Sequence, residues 1–141
     1  MSIKEILHQT RNIAIIGCSS RQNRISFQIA RYLKNSGFTI IPVNPNEESV
    51  LGEKSYPAMK NLPDDLEIDM VVIFRNKKFT EEMVRQIVEW AVHTGQRPFI
   101  WTQLNVSTPE AKQLAEKNGL RYVENRCVMV EHRQQMDVNH P

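Results

Sequence analysis

The sequence predicts an α/β fold in three layers, with a mostly parallel sheet of five or six strands between two layers of helices. Short apolar runs alternate along the chain with segments of helical periodicity. The connections are short, and such βαβ units place parallel strands side by side with helices on both faces of the sheet. We therefore expect a Rossmann-like domain. The length of 141 residues is that of one domain, spanning residues 1–141.

Five segments have the composition of buried strands. Each is a short, largely apolar run bounded by turn residues, as in strands that are covered on both faces. The segments are residues 12–17, 38–44, 69–74, 98–104 and 120–123. Their regular alternation with helices favours parallel pairing.

Three internal segments carry the signals of helices. In residues 80–94, apolar side chains recur on one face, and Gly95 ends the helix. Residues 109–118 follow Thr108 as N-cap and have a proline at the first helical position. Residues 25–36 end directly before a glycine, which is a common helix terminator.

The two ends of the chain carry weaker signals. The first residues have the pattern of a short helix, so we expect a lead-in helix within residues 1–11. The sequence after Arg133 is polar, and we expect a loose tail over residues 133–141.

Composition and charge exclude several classes of function. The net charge is +2, and no run of lysine and arginine exceeds two residues, which argues against a nucleic-acid partner. The apolar runs have the length of strands, so we expect no signal peptide, no membrane span and a cytoplasmic location. Cys18 and Cys127 lack a CxxC spacing and fit reduced thiols.

Polar residues follow the ends of the predicted strands. In open α/β sheets, ligands bind in the crevice beyond these carboxyl ends. The strand-end residues are Gly17, Cys18, Ser19, Ser20, Arg21, Arg24, Asn44, Pro45, Arg75, Gln103, Asn105, Asn125, Arg126 and Cys127. The first loop, residues 17–24, also opens a helix, whose backbone N–H groups and dipole favour an anion such as a pyrophosphate. The sequence therefore predicts a phosphorylated ligand.

A nicotinamide dinucleotide fits the first loop poorly. The fingerprint G-x-G-x-x-G needs three glycines, and only Gly17 is present. The second strand ends in "PVNPN", without the acidic residue that binds ribose hydroxyls. Taken alone, the loop could also be an ordinary strand-to-helix turn with Ser19 or Ser20 as cap. Arg75, in the same way, could pair with Glu53 or Asp69 instead of a ligand.

The combination of motifs resembles a known family. "GCSS", "RISFQIARYL", "IIPVNPN", "LGEKSYPAM", "IDMVVIFR", "WTQLNV" and "ENRCVMVEH" follow one another as in the small stand-alone coenzyme A (CoA) binding proteins. These proteins are similar to the N-terminal domain of the succinyl-CoA synthetase α-subunit. The resemblance spans residues 12–132 and implies a Rossmann-type domain that binds CoA or an acyl-CoA across the strand ends.

The resemblance also implies which residues contact the ligand. The pyrophosphate would lie on the first loop, the adenosine near the end of the second strand, and the pantetheine towards the later strands. The implied contacts are Gly17, Cys18, Ser19, Ser20, Arg24, Val43, Asn44, Pro45, Tyr56, Arg75 and Gln103. The chain departs from the family at Asn105, where glycine is usual, and at Asn125, where aspartate is frequent. We expect these changes to make the thiol end of the pocket narrower and less charged.

The sequence assigns no catalytic residue and no metal site. Cys18 could be a nucleophile at a helix N-terminus, but the interpretation that we favour is a small residue filling space beneath the loop. The resemblance to the synthetase covers only its first domain and not the domain for acyl transfer, so we expect a binding module.

Two alternatives to this function stay open: an NAD(P)-binding enzyme with a degenerate glycine loop, and a ligand-free scaffold or subunit acting through protein contacts. Exposed sheet edges are compatible with a homodimer.

Overall fold

Five parallel strands form the central sheet. The structure is a computed structural model and describes residues 1–138. The strands within these residues are β1 (Asn12–Ile16), β2 (Thr39–Val43), β3 (Ser49–Val50), β4 (Glu53–Lys54), β5 (Met70–Ile73), β6 (Phe99–Thr102) and β7 (Tyr122–Val123). The order in the sheet is β2-β1-β5-β6-β7, and β3 and β4 form a separate antiparallel hairpin. β1 is central, with Ile13 in register with Ile40 of β2 and Met70 of β5.

Helices cover both faces of the sheet. They are α1 (Ile3–Gln9), α2 (Ile25–Asn35), α3 (Thr80–Thr94), α4 (Pro109–Lys117) and α5 (Val128–Val138), with short 3-10 helices at Met59–Asn61 and Lys77–Phe79. Apolar residues of α1, α2 and α5 pack on one face, and those of α3 and α4 pack on the other. Successive residues of β1 alternate between these two layers: Ile13 and Ile15 face α2, whereas Ala14 and Ile16 face α3. The predicted α/β Rossmann-like fold is therefore confirmed.

The elements agree closely with the sequence prediction. Each of the five predicted strands is present, shorter by one to three residues. Among the helices, α3 has the predicted bounds, and α2 and α4 each end one residue earlier than predicted. α1 lies within the predicted lead-in segment and starts with a capping box formed by Ser2 and Glu5. Local caps and apolar periodicity thus determine these bounds.

The hairpin of β3 and β4 escaped the sequence prediction. Its two-residue turn consists of Leu51 and Gly52, with φ angles of 53° and 79°. Two positive φ values are typical of the turns that join short hairpins, where asparagine or aspartate usually precedes the glycine. Leu51 stands at the first turn position, so the sequence lacks the asparagine–glycine or aspartate–glycine pair that would have predicted the hairpin.

The expected loose tail is replaced by a helix as far as residue 138. α5 is held by contacts that its polar composition does not reveal: the ring of His132 packs edge-on against Tyr32 and Phe38. The Tyr32 hydroxyl lies 2.8 Å from Nδ1 of His132. Burial in this cluster lowers the pKa of His132. Residues 139–141 of the predicted tail lie outside the described residues.

None of the helices within residues 1–138 combines the length and the apolar character that a membrane crossing requires.

Gly17 joins the ends of three strands. Its N–H donates to the carbonyl oxygen of Val43 at the end of β2, over 2.8 Å. On the other side, Phe74 donates its N–H to the Ile16 carbonyl, also over 2.8 Å. Gly17 has a φ of +82°, and a Cβ atom built there would lie 2.2 Å from the Phe74 carbonyl oxygen. Only glycine fits this position.

Gly17→Ala is expected to lower the free energy of unfolding by about 2 kcal/mol or more, because the added methyl group meets backbone and the positive φ becomes strained. Gly95→Ala is the matched control, since Gly95 has a φ of +76° but open space around its Cβ position. It should lose about 1 kcal/mol, from φ strain alone. Urea unfolding followed by circular dichroism measures both variants. Equal losses of unfolding free energy in the two variants would show that the contact of the added methyl group with Phe74 does not destabilise the fold.

Candidate functional site

A wide crevice lies where the strand order reverses. The chain leaves β1 towards α2 on one face of the sheet and leaves β5 towards α3 on the other face, which opens a cleft between the two loops. A cavity of about 860 Å³ fills this cleft. It is lined by Gly17, Ser19, Ser20, Arg21, Arg24, Ile25, Ser26, Ile29, Asn44, Asn46, Glu47, Phe74, Arg75, Gln103, Leu104, Val106 and Cys127. We call it the larger cavity.

A smaller cavity of about 430 Å³ adjoins it beside the end of β2. Its lining includes Val43 and Pro45, together with Pro57 and Ala58 from the segment that follows the hairpin. The two cavities share Gly17, Asn44, Asn46, Phe74 and Arg75. A long ligand could therefore extend from one cavity into the other.

Serine side chains organise the first loop from within. Ser19 Oγ accepts the N–H of Arg21 over 3.0 Å, and Ser26 Oγ accepts the N–H of Ser19 over 3.1 Å. The N–H of Arg24 donates to the carbonyl of Arg21. These bonds give the loop its shape without the second and third glycines of the dinucleotide fingerprint. Ser19 Oγ thus binds a loop amide, and the N-cap of α2 is Arg24 rather than Ser19 or Ser20.

A carboxylate from the neighbouring loop lies on the first loop. Glu47 Oε2 accepts the N–H of Ser20 over 2.6 Å, and its Oε1 accepts the Ser20 hydroxyl over 2.8 Å. The Glu47 carboxylate therefore already accepts hydrogen bonds from two donors of the first loop, the N–H and the hydroxyl of Ser20. Sequence reasoning missed Glu47, because it sought an acidic residue at the end of β2 and this one lies four residues beyond Val43.

The start of α2 faces the same cavity without a side-chain cap. Arg24 occupies the N-cap position and makes no capping hydrogen bond. By contrast, α1 and α4 are capped by Ser2 and Thr108. The first amides of a helix have no partner within the helix and carry the positive end of its dipole. The N-terminus of α2, beside Ser26, is therefore available to an anion in the larger cavity.

Three arginines add positive charge to the lining. Arg21, Arg24 and Arg75 all line the larger cavity, and none of them forms an ion pair within residues 1–138. The guanidinium of Arg75 lies over the Phe79 ring, 4.4 Å from its centroid. The alternative partners of Arg75 are engaged elsewhere: Glu53 pairs with Lys34, and Asp69 accepts the backbone N–H groups of Arg11 and Asn12.

Asn44 fastens the end of β2 to the first loop. Its Nδ2 donates to the carbonyl of Cys18 over 3.0 Å, and its Oδ1 accepts the N–H of Asn46 over 2.9 Å. Both polar groups of the Asn44 side chain thus form hydrogen bonds within the protein.

Tyr56 pairs through its backbone with Val43, while its ring packs against the core on the α3 side. The structure does not bring the Tyr56 side chain into either cavity.

Gln103 marks the far end of the larger cavity, at the end of β6. The side chain is 7% exposed, and its Oε1 accepts the N–H of Val128 at the start of α5 over 3.0 Å. This bond fixes the orientation of the amide and leaves Nε2 as a donor on its other side. Leu104 and Val106 give this end an apolar character.

Asn105 and Asn125 contact each other outside both cavities. The N–H of Asn105 donates to Oδ1 of Asn125 over 3.1 Å. The two residues have φ angles of 62° and 56°, in the left-handed region that asparagine tolerates better than most residues. The geometry therefore explains how asparagine can stand at position 105, where the resembling family usually has glycine.

The two cysteines occupy different environments. Cys18 is fully buried beneath the first loop, packed with residues of the α2 side of the core. Burial, and to a smaller extent the charge of Glu47, raises the pKa of its thiol to about 12. This agrees with a space-filling role for Cys18. Cys127, in contrast, is partly exposed and lines the larger cavity.

The structure thus brings most of the predicted site residues together. Gly17, Ser19, Ser20, Arg24, Asn44, Arg75 and Gln103 line the larger cavity, and Val43 and Pro45 line the smaller one. Sequence reasoning missed the apolar lining, since it collected polar residues at strand ends and assigned the apolar ones to the core. Within residues 1–138, no group of three histidine, cysteine or acidic side chains could hold a metal ion.

Comparisons with known proteins find relatives that span most of this chain. The model of the CoA binding domain family matches residues 11–133. The uncharacterised protein YneT of Bacillus subtilis is 31% identical over 130 residues, which cover 92% of this chain and 91% of YneT. The solved structure of a hypothetical protein from Pyrococcus horikoshii has 36% identity and a TM-score of 0.85, covering 95% of this chain and 89% of that chain.

The chain is also similar to part of a larger protein. The α-subunit of the ADP-forming acetate–CoA ligase II of Pyrococcus furiosus is 28% identical over 130 residues, covering 84% of this chain. This chain spans only 27% of the ligase subunit. The likeness therefore concerns one part of that subunit.

In the native protein, Cys127 is expected to react with Ellman's reagent at pH 8, whereas Cys18 should react only after unfolding. Cys18 is buried, and at this pH its raised pKa keeps the thiol protonated. The measurement is the absorbance of the released thiolate before and after addition of guanidinium chloride. Cys127→Ser, as the control, should lose the native signal and keep the denatured one. Rapid native reaction of both thiols would contradict the burial of Cys18.

Proposed function

The chain belongs to the CoA binding domain family, and on that premise we propose that it binds coenzyme A, free or acylated, across the carboxyl ends of its sheet. The observation that carries the proposal is a single cavity that combines an uncapped helix N-terminus with Arg21, Arg24 and Arg75, which form no ion pair with the residues that the structure describes. Coenzyme A is strongly anionic, and helix N-termini and guanidinium groups are preferred partners of phosphates. Family membership makes coenzyme A the first ligand to test.

The pyrophosphate of the ligand is proposed to lie between the first loop and Arg75. The amides at the start of α2 supply hydrogen-bond donors, and Arg24 stands at the N-cap position beside them. Arg75 approaches from β5, with its Cδ 3.4 Å from the position that a Cβ atom of Gly17 would occupy. Planar guanidinium groups match phosphate oxygens in pairs. Two arginines on either side of the loop can therefore hold two phosphates.

The remaining parts of coenzyme A would extend in opposite directions from this point. The adenosine is proposed to lie in the smaller cavity, against Val43 and Pro45, where the prolines hold the chain extended. The pantetheine is proposed to follow the larger cavity towards Gln103, whose Nε2 can donate to an amide carbonyl. Ile25 and Leu104 offer apolar surface to its hydrocarbon groups.

We propose a binding role without turnover of the ligand at the first loop. The thiol of this segment, Cys18, is buried, and its pKa is raised. A thiol that stays protonated at neutral pH is a poor nucleophile.

Isothermal titration calorimetry should detect saturable binding of coenzyme A and no binding of NADH. Arg24→Glu and Arg75→Ala should each weaken the affinity by about tenfold or more, because each removes a charged partner of the phosphates. Arg31→Ala is the matched control, since Arg31 lies on α2 but lines neither cavity and should retain full affinity. Thermal unfolding verifies that the variants are folded. Absence of heat with coenzyme A, or equal losses in all three variants, would contradict the proposal.

Glu47→Gln is expected to strengthen coenzyme A binding by about threefold, because it removes a negative charge beside the proposed phosphate position. Glutamine can still accept the N–H of Ser20, so the loop keeps its shape. Glu48→Gln changes the net charge equally at an exposed neighbouring position and serves as the control. Weaker binding of the Glu47 variant alone would show that the carboxylate supports the ligand rather than repels it.

A further inference from the structure

We propose that Cys127 forms a mixed disulfide with coenzyme A by exchange with the oxidised form of the coenzyme, CoA disulfide. The inference rests on the proposed function, because it requires that the coenzyme lies in the larger cavity. It assigns a modification site to a residue that the binding proposal does not use. The observations that support it are the position of Cys127 in the cavity, its contrast with Cys18, and the polar group beside it.

The direction of the bound coenzyme follows from the strand order. The adenosine end is placed by Val43 at the end of β2, which forms one edge of the sheet. The pyrophosphate position lies beyond β1 and β5, and Gln103 lies beyond β6. The coenzyme therefore crosses the sheet from β2 towards β6. Its thiol reaches the end of the cavity that Cys127 lines.

Cys127 meets the requirements that Cys18 fails. It directly precedes α5, and its backbone carbonyl accepts the N–H of Glu131 over 3.0 Å, which fixes its position at the start of that helix. The residue is partly exposed and lines the larger cavity. Cys18 is 0% exposed, and its thiol is beneath the first loop rather than in the cavity. The same chain thus provides a reactive site and an internal control.

A buried polar group beside Cys127 points to a ligand at this end. Gln103 is more than nine-tenths buried and lines the cavity. The Oε1 of Gln103 accepts the N–H of Val128, the neighbour of Cys127. The Nε2 of Gln103 donates to no acceptor within residues 1–138 and is not sealed from the solvent of the cavity that this residue lines. Such a donor, oriented by α5, is suited to the terminal amide carbonyl of pantetheine, which lies close to the thiol.

The rim of the cavity leaves room for the second half of the disulfide. Leu104 lines this end of the cavity and is 64% exposed, so this end borders solvent. One half of CoA disulfide would occupy the cavity, and the other half would extend past Leu104 into solvent. The leaving group therefore has an exit.

The exchange is balanced without an external oxidant. The deprotonated sulfur of Cys127 attacks the cavity-bound sulfur of CoA disulfide, a new sulfur–sulfur bond forms, and the original one breaks. One coenzyme A leaves as a thiolate and takes up a proton from solvent, while the other stays attached to Cys127. Cys127 is oxidised and the departing coenzyme is reduced. A cellular dithiol reverses the reaction.

The test incubates the full chain at pH 8 with CoA disulfide or, separately, with glutathione disulfide. After acid quenching, mass spectrometry under non-reducing conditions follows the adduct with time, and peptide mapping locates it. We expect the coenzyme adduct on Cys127 to form at least about tenfold faster than the glutathione adduct, because binding holds the two sulfurs together. Arg24→Glu should slow the coenzyme reaction by a larger factor than the glutathione reaction, because only the coenzyme carries phosphates.

Cys127→Ser separates this inference from the proposed function. The variant should form no adduct, while calorimetry should show that it still binds reduced coenzyme A. Binding without an adduct in the unmodified chain, equal rates with both disulfides, or an adduct on Cys18 would overturn the inference and leave the binding proposal standing. Absence of coenzyme A binding in the unmodified chain would overturn both.

Discussion

The close contact between Gly17 and the carbonyl of Phe74 is the constraint on which the rest of the structure depends. It requires a residue without a side chain where β1 ends beside β5, while the N–H of Gly17 donates to the carbonyl of Val43 in β2. Three strand ends therefore meet at one residue, at the point where the strand order reverses. The first loop and Arg75 are placed on the two sides of this contact. Any side chain larger than hydrogen at position 17 would push them apart, and the cavity would lose its shape.

The first loop keeps its shape with a single glycine. In the dinucleotide fingerprint, further glycines allow the backbone to approach the pyrophosphate closely. Here, serine hydroxyls bind the loop amides from within, and Glu47 binds Ser20 from outside. The donors that remain are those at the uncapped start of α2 and the guanidinium groups around it. This arrangement shifts the proposed phosphate position from the loop itself towards the helix and the arginines, and it gives Glu47 an electrostatic influence on affinity.

Local sequence signals predicted the fold well and the site in part. Apolar runs and caps define strands and helices through contacts near in sequence, so the sheet and the bounds of α3 followed from the residues. α5 did not, because His132 is held by Tyr32 and Phe38, about a hundred positions away. The polar strand-end residues were found because parallel strands bring their carboxyl ends together. Glu47 and the inward position of Tyr56 depend on how the segment after β2 folds back, which no local pattern indicates.

The central claim is that coenzyme A binds where the first loop meets α2 and Arg75. A titration of isotopically labelled protein with coenzyme A, followed by amide proton–nitrogen correlation spectra, tests it most directly. The account predicts that the largest shift changes fall on residues 19–27 and on Arg75, with smaller ones extending to Gln103. Shift changes centred on α1 and β7, away from both cavities, or the absence of any change at saturating coenzyme, would contradict it.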